Sequence, residues 1–472
     1  MLSRKARSDV PLAHGRSRFL HSLRFAPVGR NDGVGLVVEA CTFPVTSTNT
    51  TGRYHSCMRR LLALVLACTF AASAQVVLHT EQNPLNTPAQ QRKHYVVLVS
   101  LDGFRYDYAK LHDATHLLAM GKSGASTPQG MRPSYPSITF PNHTTLVTGL
   151  LPEHNGILWN SFYDPATHKT YEYKKNSNDG SFYSGTPLWS LAEENGMRSA
   201  AMFWPGSEAK IAGHRPTFWA EYLDKYDGEK RIDQVITWLQ LPPSERPHFI
   251  TLYFADTDHG GHDFGVESPE LVAAVHHVDV LMGELSRRLR ALHLSVDLIV
   301  TADHGMIDMV GPVVTLSELP GMAPLLAGVR HEGILLYPET EAQREAIYEG
   351  FRAHPDPRFT AYRLADTPAS LEVRENPRLG DPYLVFHVPT DVRFDTTTAP
   401  KKRPHGEHGY DPLTMPEMKA IFFAEGPDIR KGVNLPTFQN TAVYDFVAKL
   451  LGLTPAPNDG SLAPLLPALK HP

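Results

Sequence analysis

Cysteine is nearly missing from this 472-residue chain: there are three, Cys41, Cys57 and Cys68, all before residue 75. The body of the protein therefore has no disulfide framework, and a nucleophile derived from cysteine, of the kind sulfatases use, is excluded. Long apolar runs are missing too. Leu61 to Ala72 falls short of the ~20 residues that a membrane-spanning helix needs. Charge of one sign is also lacking, with 45 Lys and Arg against 50 Asp and Glu. No basic run is interleaved with aromatics, so a nucleic-acid-binding surface is not indicated. Lys401-Lys402-Arg403 is short and reads as a solvated loop. There are no internal repeats or low-complexity tracts.

Met58-Arg59-Arg60 precedes the apolar stretch, and Ala72-Ser73-Ala74 has the form of an Ala-x-Ala cleavage site before Gln75. This pattern predicts a secretory signal peptide over 58–74 and a periplasmic or secreted enzyme. A signal peptide belongs at an N-terminus, so translation is expected to start at Met58, with residues 1–57 a mis-assigned extension. Residues 75–92 read as a linker. About 400 residues remain, which suits one large α/β unit with an insertion.

Three apolar runs are long enough for buried strands, and each ends in a carboxylate. Tyr95 to Leu101 leads into Asp102-Gly103, Phe249 to Ala255 into Asp256 and Asp258, and Val296 to Ala302 into Asp303-His304-Gly305. In a mostly parallel sheet the carboxyl ends of the strands face one crevice, where residues far apart in sequence converge. Taken singly, Asp-Gly after a strand is an ordinary turn and His304 an ordinary core histidine. Together with His262 and His408, these residues look like two metal sites.

Residues 133–149 offer a nucleophile. Thr139 stands where a helix begins, with Pro141 in its first turn and a stop at Gly149. A hydroxyl there meets free backbone N–H groups and the positive end of the helix dipole, which favour an alkoxide and a bound phosphate. A simple capping role accounts for Thr139 equally well, and the residues alone do not choose.

Six segments together resemble the nucleotide pyrophosphatase/phosphodiesterase family of the alkaline phosphatase superfamily, in a bacterial type. They are Ser-Leu-Asp-Gly-Phe-Arg (100–105), Thr-Phe-Pro-Asn-His (139–143), Gly-Leu-Leu-Pro-Glu-His-Asn-Gly-Ile (149–157), Asp-His-Gly-Gly-His (258–262), Thr-Ala-Asp-His-Gly-Met (301–306) and His-Gly-Tyr-Asp (408–411). The resemblance implies an alkaline-phosphatase-like three-layer α/β/α core with a mostly parallel sheet, in a catalytic domain over 93–465. It implies Thr139 as nucleophile and two Zn2+ ions, one held by Asp102, Thr139, Asp303 and His304, the other by Asp258, His262 and His408. Asn160 would hydrogen-bond a phosphate oxygen, joined by the Phe140 N–H.

Mixed imidazole and carboxylate ligands suit zinc. A threonine hydroxyl is a poor nucleophile until a metal populates its alkoxide. The implied reaction is hydrolysis of nucleotide phosphodiesters or pyrophosphates to nucleoside monophosphates through a phosphothreonine. Tyr253 and Phe140 would sandwich the base, with Trp219 shaping the pocket and Trp204 shared between pocket and core. The stretch Tyr-Phe-Ala-Asp-Thr-Asp (253–258) departs from the Glu-Glu-Pro that vertebrate-like members carry before the aspartate. A phosphomonoesterase, a choline-type lipid-headgroup phosphodiesterase, and a zinc-binding protein without turnover are the alternatives. A monomer is expected.

Elsewhere, Ser268-Pro269-Glu270 opens a predicted helix whose Leu271, Val275, Val278, Met282, Leu285, Leu289 and Leu292 share one face, which leaves His276 and His277 on the surface. Residues 310–400 read as an inserted α+β subdomain with strands in 333–337 and 383–386 and a helix over 341–353. A late strand over 420–424 and a helix over 441–451 follow.

Overall fold

The computed structural model describes residues 76–397 and 403–472. The expected leader and all three cysteines lie outside the described residues, as do Lys401 and Lys402. The chain is organised on a nine-stranded sheet. Its strands are β1 (Leu78–Thr80), β2 (Tyr95–Leu101), β3 (Ala125–Ser126), β4 (Ser199–Met202), β5 (Phe218–Ala220), β6 (Phe249–Phe254), β7 (Val296–Thr301), β8 (Phe422–Glu425) and β9 (Val433–Asn434). Across the sheet they run β1-β5-β4-β6-β2-β7-β8-β3-β9. From β5 to β7 all neighbours are parallel. β1 is antiparallel to β5, and β8 to both β7 and β3.

Every residue of β2, β6 and β7 is buried. These strands read as near-continuous apolar runs because both faces of a parallel sheet are covered. The cover comes from α1 (Thr115–Ser123), α2 (Thr139–Thr148), α3 (Leu188–Glu194), α4 (Gly228–Leu239), α5 (Asp256–Phe264), α6 (Pro269–Ala291) and α8 (Ala442–Leu451), while α7 (Glu341–Ala353) belongs to the excursion after β7. Helix α6 packs with α1, α4 and α5, and α2, α3 and α8 pack with one another. The result is a three-layer α/β/α core.

Helix α6 shows how the sequence specifies its element. Ser268 Oγ accepts the Leu271 N–H at 3.1 Å, Pro269 occupies the first turn, and Leu271, Val275, Val278, Met282, Leu285 and Leu289 are buried. Asp279, also buried on that helix, accepts the His116 and Leu117 N–H groups at 3.1 and 2.8 Å and so caps the start of α1. His276 and His277 are exposed.

Three boundaries differ from expectation. The segment read as a linker contributes β1, which pairs with β5 at the sheet edge. The late strand starts at Phe422 because Ala420 instead bridges Arg105 and Met131. At the C-terminal end Leu469 is buried in the main core, beyond the expected limit at 465.

After β7 the chain leaves the sheet and returns through a short ladder in which Ile307–Asp308 pairs with Gly406–Glu407. The excursion carries α7 and small ladders, including Phe359–Tyr362 with Tyr383–Phe386. Val314, Leu316, Met322, Ile347, Phe351 and Phe359 form an apolar cluster of its own.

Gly103, at the end of β2, has φ +67°, and a Cβ there would stand 2.9 Å from the Asp258 Cα. Only glycine lets the turn after β2 lie against the start of α5. Gly103→Ala should therefore destabilise the fold by about 1–3 kcal/mol from backbone strain, with further loss from the clash. Urea unfolding checks this, and an unchanged midpoint would show that the approach is not tight.

Candidate active site

Asp102, Asp258 and Asp303 stand just past the carboxyl ends of three adjacent strands, β2, β6 and β7. Backbone contacts hold Asp102 and Asp303. The Asp102 N–H bonds Phe254 O, its carbonyl accepts the Thr257 hydroxyl, and the Gly103 N–H donates to Asp303 Oδ1 at 3.2 Å. Asp258 and His262 are four residues apart on α5 and so share one face.

The loop that leads into Thr139 is pinned by Asn142, whose amide is fully used. Its Oδ1 accepts the Ser134 N–H and the Asn440 amide, both at 2.8 Å, and its Nδ2 donates to Pro136 O and Ile138 O. Thr139 is the first residue of α2, and its Oγ1 lies 3.2 Å from His304 Nε2. Ser137 ties this loop to the returning segment: its hydroxyl donates to Tyr410 O and its carbonyl accepts from His408 Nδ1 at 2.9 Å.

Three histidines point the same nitrogen inward. His304 Nδ1 lies 2.9 Å from Gly305 O, His262 Nδ1 2.8 Å from Gly406 O, and His408 Nδ1 2.9 Å from Ser137 O. A carbonyl can only accept, so each Nδ1 carries the hydrogen and each neutral ring presents an Nε2 lone pair. Those lone pairs face further acceptors. His304 Nε2 is 2.9 Å from Asp303 Oδ2 and 3.5 Å from Asp102 Oδ1. His262 Nε2 is 3.3 Å from Asp258 Oδ1 and 3.2 Å from His408 Nε2.

Asp102 Oδ1, Asp258 Oδ1 and Asp303 Oδ2 are buried without a hydrogen-bond donor. Acceptor facing acceptor in a buried site is costly unless a cation lies between. The residues thus fit a metal, and three groups here have ligand atoms within 4.8 Å of one another: Asp258 with His262 and His408, Asp102 with Asp258 and His304, and Asp102 with His143 and Asp303.

Electrostatics express the same conflict. Burial, then Asp303 and Asp258, push the Asp102 carboxyl well above the usual carboxylate range. Burial, then His304 and His262, push His408 down to about 3. Burial opposes protonation of His262, but the Asp258 carboxylate holds it up to about 10. Burial would also raise Asp303, yet His304 and His143 hold it down to about 2.

The aromatic residues sort differently from expectation. Tyr253 is 7% exposed, and its hydroxyl donates to Asp102 Oδ2 at 2.6 Å, so its ring is part of the wall and offers no free face to a base. Trp219 is not brought to the site: its ring stacks on His79 at 3.9 Å, and its Nε1 donates to Glu81. Trp204 is buried, with Nε1 on His143 O. Phe140 is half-buried beside Thr139, its N–H donating to Asn160 Oδ1 at 3.1 Å, so these two phosphate-binding candidates are paired with each other.

Two residues were missed. Tyr222, 45% exposed, stands edge-on to Tyr253 at 5.9 Å. No strand or motif frames it in the sequence. His143 is fully buried, with Nδ1 on Thr139 O and near Asp303 Oδ2 and Nε2 near Ser100 Oγ. Its place four residues after Thr139 on one helix was a usable signal.

Residues 96–411 match the family model described as type I phosphodiesterase/nucleotide pyrophosphatase. Human ectonucleotide pyrophosphatase/phosphodiesterase family member 1 is 35% identical over 83% of this chain, which spans only 43% of that protein. An uncharacterised pyrophosphatase/phosphodiesterase of Schizosaccharomyces pombe is 32% identical, with 88% of both chains covered. The structure of murine ectonucleotide pyrophosphatase/phosphodiesterase 5, in an inactive form in complex with AMP, superposes with a TM-score of 0.74 and 28% identity over 80% of this chain and all of that one. The chain belongs to the type I phosphodiesterase/nucleotide pyrophosphatase family.

Proposed function

We propose that this protein is a two-zinc phosphodiesterase/pyrophosphatase that releases nucleoside monophosphates from nucleotide diesters or pyrophosphates, using Thr139 as nucleophile. The observation that carries the reading is the Thr139 hydroxyl at a helix N-terminus, 3.2 Å from an inward-facing His304 Nε2 that itself faces the donor-less Asp303 Oδ2 and Asp102 Oδ1. Asp102, Thr139, Asp303 and His304 would hold one zinc, and Asp258, His262 and His408 the other. When bound, the metals would supply Lewis-acid stabilisation of phosphoryl charge and a lowered hydroxyl pKa.

The chain's own residues do the rest. Thr139 Oγ1 forms a bond to phosphorus as the bond to the leaving oxygen breaks. Water then attacks the phosphothreonine, freeing Thr139 and the monophosphate. Asn142 and Ser137 fix the loop from which Thr139 attacks, and Asn160 and the Phe140 N–H would open from each other to meet phosphate oxygens. Half-buried Phe140 and exposed Tyr222 are the rings with faces left for a base, and stacking on them would not read its identity. The AMP complex of the murine relative supports a nucleotide over a lipid headgroup. We further propose a catalytic domain that takes in β1 ahead of residue 93 and Leu469 beyond 465, with 310–400 inserted, of bacterial type and exported by the 58–74 signal. Among the described residues no helix is long and apolar enough to cross a membrane.

Thr139→Ala should lower turnover of a nitrophenyl ester of a nucleotide by about a thousandfold or more while the fold persists, and Thr139→Ser should keep part of it. Near-wild-type activity in the alanine variant would sink the mechanism. Chelation should abolish activity and zinc restore it. Wild type should prefer the nucleotide ester to plain nitrophenyl phosphate, and the reverse preference would identify a phosphomonoesterase.

Tyr253→Phe keeps the ring and removes only the hydrogen bond to Asp102. Outer-shell partners of this kind are worth about 10–100-fold in metal affinity or activity. The loss should be equal on a nucleotide ester and on a baseless aryl phosphodiester. A loss confined to the nucleotide ester would return Tyr253 to a base-binding role.

A further inference from the structure

A second cluster of ligand-type residues lies at the other end of the strands. His94 immediately precedes β2, Asp297 is the second residue of β7, and Asp428 lies in the turn after β8. Because β8 runs antiparallel to β7, its end meets the start of β7, and the three residues gather below the sheet. The seven residues of β2 separate this cluster from Asp102. At strand rise that is about 20 Å, so the two clusters are distinct.

The ligand atoms of His94, Asp297 and Asp428 lie within 4.8 Å of one another. His94 Nδ1 is 2.5 Å from Asp428 Oδ2. Asp297 is fully buried; its Oδ1 accepts the Asp428 N–H at 3.0 Å, while its Oδ2 is buried with no donor at all. A buried carboxylate oxygen without a donor is costly, and the Asp428 carboxylate beside it makes it more so. The fold accepts a further constraint to build this corner. Gly426 has φ +155°, and a Cβ there would meet Asp297 Oδ1 at 2.2 Å, so only glycine lets the turn close over the carboxylate. The Lys470 ammonium donates to Pro427 O rather than to either carboxylate. His94 and Asp428 have side-chain exposures of 39% and 25%, which leaves the cluster open to solvent on one side.

We infer that His94, Asp297 and Asp428 form a third divalent-cation site, remote from the catalytic one, that takes a transition metal of the zinc class. One imidazole and two carboxylates match the donor preference of such a cation, and solvent completes the shell from the open side. An imidazole ligand argues against calcium, which takes oxygen. The site ties the start of β2 and β7 to the turn after β8, so its role is to hold the sheet together.

The test is metal content. Wild type, Asp428→Asn and His94→Gln are stripped with chelator, re-equilibrated with Zn2+, dialysed and measured by elemental analysis. Each variant should hold one equivalent fewer than wild type and should lose the zinc-dependent part of its thermal unfolding midpoint. Turnover of the nucleotide ester should be unchanged, which separates this site from the proposed catalytic pair. Equal zinc content in wild type and both variants would overturn the inference and leave Asp297 and Asp428 sharing a proton. His94→Gln, at a partly exposed position, keeps the test decisive if Asp428→Asn does not fold.

Discussion

The cost of burying carboxylates without donors is the constraint on which the candidate active site rests. Asp102, Asp258 and Asp303 are brought together by the carboxyl ends of parallel strands, where side chains from separate strands meet. Each keeps an oxygen that no hydrogen bond reaches. Three histidines have their Nδ1 atoms committed to backbone carbonyls and, as neutral rings, bring lone pairs rather than protons to these oxygens. The arrangement is stable only with positive charge in it, as metal or as protons forced onto the ligands. The raised Asp102 and His262 and the lowered His408 are what the cluster does without a metal.

Much of the supporting structure serves to hold those carboxylates and histidines still. Gly103 lets the β2 turn touch α5, Asn142 uses its whole amide on the loop that leads into Thr139, and Ser137 joins that loop to the segment carrying His408. The long excursion between His304 and His408 begins and ends at one two-stranded ladder, so His408 returns to the site whatever the excursion contains. Stacking of the His304 and His408 rings at 3.6 Å sets the two histidines side by side.

The strands and long helices were legible because their signals are local. A run such as Tyr95 to Leu101 is apolar throughout since both faces are covered, and the 3–4 spacing from Leu271 to Leu289 marks a single buried stripe. The carboxylates and histidines that the structure brings together were legible because strand ends and recurring motifs framed them. The aromatic residues were not. Tyr253 lies five residues before Asp258, but whether its ring faces a ligand or the core depends on the partner of its hydroxyl, Asp102, which belongs to another strand. Trp219 sits on β5, two strands from β6, where His79 of the edge strand covers it. That edge strand was itself read as a linker, since three residues carry no periodicity. The lower cluster escaped notice because His94, Asp297 and Asp428 share no motif and meet only through strand order.

The most direct measurement of the central claim is anomalous scattering at the zinc edge from crystals of zinc-loaded enzyme soaked with a nucleoside monophosphate. Two peaks at the carboxyl ends of the strands are predicted, one among Asp102, Thr139, Asp303 and His304 and the other among Asp258, His262 and His408, with phosphate beside Thr139. A single peak there, or phosphate bound away from Thr139, would contradict the account.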